Sequence, residues 1–142
     1  MTIARVIEGH DHPIISCSPD DDVRKAAGLL AEKRIGALPV MRDGAVAGIF
    51  SERDVLYCVA QMGADALDKP VHEVMTAPAI TIESSMLALD ALALMTRRRI
   101  RHLPVMRGGA MVAFVSIGDI VKYRIEKAEA EARQMRDYIR TA

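Results

Sequence analysis

The sequence predicts a mixed α/β fold of the α+β type: two β-α-β-β-α repeats related by a pseudo-twofold axis and packed sheet to sheet, followed by a long C-terminal helix. Three observations predict it. The first is an internal repeat. Gly44-Ala45-Val46-Ala47-Gly48-Ile49-Phe50-Ser51-Glu52-Arg53-Asp54-Val55 returns, varied, as Gly109-Ala110-Met111-Val112-Ala113-Phe114-Val115-Ser116-Ile117-Gly118-Asp119-Ile120. Upstream, Ile35-Gly36-Ala37-Leu38-Pro39-Val40-Met41-Arg42 matches Ile100-Arg101-His102-Leu103-Pro104-Val105-Met106-Arg107 at the same offset. A constant offset without a gap over such a length fixes architecture before any propensity does. The second observation is that each copy alternates helix-spaced apolar residues with short strand-like runs. The third is a helical pattern from Asp119 almost to Ala142, too long to belong to the second half alone. Two copies of so small a unit cover their exposed sheet faces by packing against each other.

Taken in order, residues 3–8 read as a short helix. Gly9-His10-Asp11-His12-Pro13 is a turn cluster, and Ile14-Ile15-Ser16-Cys17 a short lead-in strand. Ser18-Pro19-Asp20-Asp21-Asp22 reads as a helix start, its acidic residues opposing the positive helix end and Ser18 or Asp20 capping free amides. Val23, Ala26, Ala27, Leu30 and Ala31 then recur at steps of three and four, the spacing of a helix with one buried face that ends near Lys33-Arg34. A strand over 35–41 carries Pro39 near its start, where a missing amide is tolerated. Asp43-Gly44 supplies a hairpin turn, because this pair readily adopts positive φ. The returning strand covers 46–50, and Ser51 opens a helix running to about Met62.

The second half repeats this plan. Val71-His72-Glu73-Val74-Met75-Thr76 repeats the first short helix, and Ala79-Ile80-Thr81-Ile82 the lead-in strand. A helix over 85–98, a strand over 103–106, a turn at Gly108-Gly109 and a strand over 111–115 follow. The first repeat is assigned to 1–62, a linker to 63–70, the second repeat to 71–123 and the C-terminal helix to 124–142. The last bears a sparse apolar line of Ile125, Ala128, Ala132, Met135, Tyr138 and Ile139, which reads as a docking face and is assigned to dimer packing.

Composition excludes several classes of function. A chain of 142 residues buries roughly 70% of its unfolded surface, enough for a core without staples. Apolar residues at 51% and charged ones at 27% are those of an ordinary soluble protein. With 19 basic and 19 acidic residues, no long-range field gathers nucleic acid or an anionic membrane, so any anion site must be local. Cys17 and Cys58 lack metal-ligand spacing and read as reduced intracellular thiols. The N-terminus has no leader pattern, and the longest apolar stretch, 86–95, carries Asp90 and falls short of a membrane span. A cytoplasmic location is expected.

The residues that carry chemistry lie at the strand-to-helix turn of each repeat. Ser51-Glu52-Arg53-Asp54 resembles a capping box, in which Ser51 and Asp54 only satisfy free helix amides. The same geometry also suits a nucleotide. Free amides and the positive helix end fit a phosphate, Ser51 adds a donor, and Asp54 can accept from both hydroxyls of a ribose. Gly48 permits a close backbone approach on the preceding strand, and Ile35, Gly36, Ala37 and the approach to Pro39 offer an apolar slot for a purine.

At these residues the chain resembles a tandem cystathionine-β-synthase (CBS) domain pair, over roughly 3–123. The resemblance rests on Leu38-Pro39-Val40, Gly48-Ile49-Phe50-Ser51-Glu52-Arg53-Asp54, Val74-Met75-Thr76, Leu103-Pro104-Val105 and Ser116-Ile117-Gly118-Asp119, whose order and spacing together are specific. With its long C-terminal helix, the chain is similar to small stand-alone bacterial CBS-pair proteins. The resemblance implies an adenosyl ligand in the cleft between repeats, with Asp54 and Asp119 on ribose and Ser51 and Ser116 on phosphate. It implies a ligand-binding set of Ser51, Arg53, Asp54, Ser116, Asp119, Ile35, Gly36, Ala37, Arg101, His102 and Thr81, with no catalytic or metal-binding residue. AMP is the foremost ligand, with ATP, NAD, NADH and S-adenosylmethionine as alternatives. The second copy departs from the motif: Ala113 replaces Gly48, and Ile117-Gly118 replace Glu52-Arg53. Unequal sites follow, such as AMP in one and a dinucleotide like NAD in the other.

The implied protein is a non-enzymatic homodimeric sensor acting on an unidentified protein, with neither nucleic acid nor membrane as partner. Two other readings stand beside it. Arg97-Arg98-Arg99-Ile100-Arg101-His102 is the one dense basic run. It serves an RNA- or DNA-binding reading, though without interleaved aromatics. Alternatively, Arg97 and Arg98 answer a negative helix end, and Arg101 and His102 meet a phosphate beside the purine slot. An enzyme of nucleotide turnover is the second reading, against which no cysteine or serine sits in a nucleophile motif. His10-Asp11-His12 resembles the start of a metal site but lacks further ligands at suitable spacing.

Overall fold

The computed structural model describes residues 1–9 and 13–141, so that the His10-Asp11-His12 turn lies outside the described residues. In chain order the first half comprises α1 (Ile3–Glu8), α2 (Val23–Lys33), β1 (Ala37–Arg42), β2 (Ala45–Ser51) and α3 (Glu52–Met62). A 3-10 segment, Gly63–Asp68, follows. The second half comprises α4 (Val71–Val74), β3 (Ile82–Glu83), α5 (Ala88–Arg98), β4 (His102–Arg107), β5 (Ala110–Ser116) and α6 (Ile117–Thr141). The expected α+β fold with two small sheets and a long C-terminal helix is the one observed.

The two hairpins are near copies. β1 pairs antiparallel with β2 and β4 with β5, and each ladder shifts register at the same place, between Val40 and Met41 and between Val105 and Met106. Asp43 and Gly44 adopt φ of 51° and 79°, and Gly108 and Gly109 adopt 59° and 80°. Positive φ at both turn residues matches the right-handed twist of the strands, which is why Asp-Gly and Gly-Gly stand there.

Three local expectations shift. The lead-in strands shrink to one parallel bridge, Cys17 to Val40, and to the two-residue β3, whose Ile82 pairs with Val105. The chain turns away at Ser18-Pro19, and Pro19 has no amide with which to continue a ladder. The cap of α2 is Asp22, whose carboxylate accepts from the Lys25 amide at 2.7 Å. Ser18 and Asp21 instead close a turn ahead of the helix, the Ser18 amide donating to Asp21 Oδ2 at 2.9 Å. Finally, α5 starts at Ala88, which is wholly buried, rather than near Ser85.

Each half has its own apolar centre, and the short helices are exchanged between them. Ile3 and Val6 of α1 are buried with Ala88, Ala91, Met95, Leu103, Val115 and Ile120 of the second half. Val71 of α4 is buried with Val23, Leu30, Leu38, Val40 and Phe50 of the first, and Ala66 of the 3-10 segment joins them. Backbone bonds fasten both exchanges: the Ile3 amide to the Met86 carbonyl and the Val71 amide to the Asp21 carbonyl, each at 2.8 Å. The far end of α6 leaves this body, and Ile125, Met135, Tyr138 and Ile139 on it are more than half exposed.

Candidate ligand clefts

Two clefts lie between the halves, each headed by the N-terminus of one strand-following helix. At the first, Ser51 Oγ accepts from the Asp54 amide at 3.3 Å while Asp54 Oδ2 accepts from the Ser51 amide at 2.8 Å. The capping box is therefore formed, and Asp54 Oδ1 accepts in addition from the Thr76 hydroxyl at 3.2 Å. Ser116 and Asp119 reproduce the box at the second, with 2.8 Å and 3.1 Å bonds. Capping and ligand binding are compatible, because a carboxylate has about four lone-pair sites and the box uses only part of them.

Gly48 has a steric reason to be glycine. A Cβ there would stand 2.8 Å from Met75 Sδ and 2.8 Å from the Thr76 carbonyl oxygen. The close approach it allows is that of the 75–76 segment, which bridges Ile49 through two 2.9 Å backbone bonds and so brings Thr76 to Asp54. In the second copy Ala113 occupies this position.

The first cleft, of about 220 Å3, joins Ser51, Arg53, Asp54 and Tyr57 of the first half to Thr76, Arg99, Arg101 and His102 of the second. Ile49, Pro78, Ala79, Ile80 and Ile100 provide its apolar wall. Two of its guanidiniums are already engaged: Arg53 donates to the Arg99 carbonyl at 2.7 Å, and Arg101 pairs with Glu52 at 2.6 Å. The second cleft, of about 590 Å3, joins Ser116 and Asp119 to Lys33, Arg34, Ile35, Ile14, Ile15 and Phe114. Gly118 and Gly36 are the repeat equivalents of Arg53 and Arg101.

Gly36, Ala37 and His102 line both clefts, so the lead-ins to β1 and β4 form the wall between them. His102 stacks on Phe114 with ring centroids 5.6 Å apart and planes at 14°. Gly36 makes room for it, since a Cβ there would lie 3.1 Å from His102 Cε1. Burial, with the Arg101 guanidinium beside it, holds the His102 pKa below the usual imidazole value, against smaller upward pulls from Asp119 and Glu52.

The structure thus gathers Ser51, Arg53, Asp54, Arg101, His102, Gly36 and Ala37 at the first cleft and Ser116, Asp119 and Ile35 at the second. Ile35 faces the second set rather than the first, and Pro39 is fully buried in the core instead of lining a slot. Thr81 is exposed, one residue beyond Ile80 on the first cleft's wall. Tyr57, Arg99 and Arg34 were not singled out from sequence as ligand residues. The repeat held a signal for two of them: Arg34 and Arg99 are equivalent, and both end a helix at positive φ, 54° and 56°.

The basic run divides. Arg99 and Arg101 line the first cleft, while Arg97 and Arg98 stay exposed in the last turn of α5, where they oppose the negative helix end. Cys17 and Cys58 are buried in the first half's core, and burial, chiefly, pushes the Cys17 thiol up to about 11. Among the described residues no group of three or more His, Cys, Asp or Glu is arranged to hold a metal, and no helix is long and apolar enough to cross a membrane.

Comparison with known proteins agrees with this fold. The family model described as "CBS domain" matches residues 5–61 and again 71–126. The mitochondrial CBS domain-containing protein CBSX3 of Arabidopsis thaliana is 35% identical over 128 residues, covering 87% of this chain; the chain spans 62% of that relative's length. The crystal structure of the CBS-domain containing protein ATU1752 from Agrobacterium tumefaciens superposes with a TM-score of 0.83 at 34% identity, covering 87% of this chain and 99% of that one. The CBS domain protein PAE2072 from Pyrobaculum aerophilum, complexed with AMP, superposes with a TM-score of 0.73 at 27% identity, over 84% of this chain and 89% of its own.

Proposed function

The chain belongs to the CBS-domain family, and on that premise we propose that it is a regulatory module that binds adenosine-type nucleotides in its two clefts. The observation that carries this reading is the first cleft. A carboxylate, a hydroxyl and a helix N-terminus from one half face two arginines and a histidine from the other across an apolar wall. Asp54 accepts from the ribose hydroxyls, while Ser51, Arg53, Arg99 and Arg101 meet phosphate; such charge-assisted bonds contribute about 1.5–3 kcal/mol each. The AMP held by the Pyrobaculum relative supports AMP as the first ligand to test. The second cleft, with Gly118 and Gly36 as the equivalents of Arg53 and Arg101, is the weaker phosphate site, with room for a larger adenosyl ligand.

A ligand bridging the two halves changes how they sit, and that change is what a partner protein reads. The module holds ligand rather than turning it over, since both Ser/Asp pairs are tied into helix caps and both thiols are buried. The exposed apolar line on α6 docks on a second copy of the chain. A disperse, monomeric wild type in sedimentation would overturn that last part.

Calorimetric titration with AMP, ATP, NAD, NADH and S-adenosylmethionine tests the reading, with wild type, Asp54→Ala and Asp119→Ala compared. Saturable binding is expected, with Asp54→Ala weakening the phosphate-dependent ligand at least about tenfold and Asp119→Ala leaving it in place. Protein shown free of copurified nucleotide that binds none of the five would sink the proposal, and Ser51 and Asp54 would then be helix caps alone.

A further inference from the structure

We propose that Glu52 is an internal competitor for the anionic end of the ligand and thereby sets how the first cleft discriminates by ligand charge. The inference rests on the reading of that cleft as a nucleotide site. Glu52 is the first residue of α3, between the two members of the capping box, and so stands at the positive helix end where a phosphate would also be drawn. Its backbone is fixed across the cleft wall, the Glu52 amide donating to the Gly36 carbonyl at 3.0 Å. Its carboxylate reaches Arg101 of the other half, Oε1 to Nη2 at 2.6 Å.

Of the two guanidiniums tied up at this cleft, Arg53 is held by a neutral carbonyl and Arg101 by a charge. An incoming phosphate takes Arg101 from Glu52 or settles beside both; in either case it meets a like charge at close range. The cost rises with the ligand's negative charge and vanishes for a neutral ligand. Both side chains are about half exposed, at 48% for Arg101 and 57% for Glu52, so the pair is weak enough to be exchanged. A neighbouring groove shares Gly36, Arg101 and His102 with the cleft and adds Glu52, Arg34 and Ser116 on an otherwise largely apolar lining, so a longer phosphate chain has room beside the pair. The second cleft has no such device, because Ile117 and Gly36 occupy the equivalent positions.

The test is titration of wild type, Glu52→Gln, Arg101→Gln and the double variant with adenosine, AMP and ATP, all on protein whose fold is checked by circular dichroism. Glu52→Gln is expected to tighten ATP about threefold to fivefold, AMP less, and adenosine not at all. Glu52→Ala is expected to give the same ranking. In the Arg101→Gln background the gain should differ from that in wild type, since two groups acting on one ligand through each other are not additive. Equal change for all three ligands, no change, weaker ATP binding, or additive effects in the double variant would each overturn the proposal. Failure of wild type to bind any of the three would instead overturn the nucleotide reading beneath it.

Discussion

The two clefts share a backbone and differ in charge. Both have a strand running into a helix, a Ser and an Asp closing the cap, and a histidine wall between them. Around that common frame the first has Arg53, Arg101 and Tyr57, whose equivalents in the repeat are Gly118, Gly36 and Lys122. What the repeat retains is what holds the chain in shape. What it varies is what a ligand would touch, so divergence between copies separates scaffold from site more cleanly than either copy does alone.

The largest expected effect on this comparison is steric. Gly48→Ala forces a methyl against Met75 and the Thr76 carbonyl, and neither the backbone nor the bridged segment can give way cheaply. A loss of about 1–3 kcal/mol in urea unfolding is expected, whereas the second copy already carries the methyl at Ala113. Gly48→Ala as stable as wild type would show that the 75–76 segment is not seated as described.

An exchange of charge is next. A Cβ at Gly118 would meet Ser116 Oγ at an ordinary 3.6 Å and its φ is not positive, so Gly118→Arg is tolerated and stabilises α6 by up to about 1 kcal/mol. Combined with Arg53→Gly, it should move preference for phosphate-bearing ligands from the first cleft toward the second. Unchanged preference in titration would mean that the arginine at this position does not select ligands.

The smallest effect is set by pH. The His102 pKa is lowered in the folded protein, chiefly by burial. The unfolded chain therefore binds the proton more readily, and His102 contributes stability that is present above its unfolded value, near 6.5. That contribution is lost as pH falls through its lower folded value. Phosphate beside His102 opposes the shift, so AMP should bind more tightly as pH falls through this window, and His102→Gln should flatten the profile. A wild-type profile as flat as the variant's would remove His102 from the ligand's surroundings.

Much of this was legible in the sequence, and the limit has a physical form. Hairpin turns, helix faces and capping boxes are local, so Asp43-Gly44, Ala26 with Leu30, and Ser51 with Asp54 announce themselves within a few residues. The offset of the repeat also tells which residues are equivalent, but not which meet. Ile35 is adjacent in sequence to the first hairpin yet lines the second cleft, because the lead-in to β1 runs along the wall between the two. Thr76 was visible in a motif, but its hydroxyl reaches Asp54 only through the bridge at Ile49. Asp22 rather than Ser18 or Asp20 caps α2, because burial of Val23 sets where the helix begins.

The exchanged short helices put an order on the birth of the molecule. Ile3 and Val6 leave the ribosome more than a hundred residues before their neighbours Val115 and Ile120. The first half can close around Val71 as soon as α4 is made, while α1 waits, apolar face uncovered, until the second half has emerged. The most distant contacts in the sequence are thus the last to form. Damage to α1 would therefore be felt in the second half, far along the chain from it.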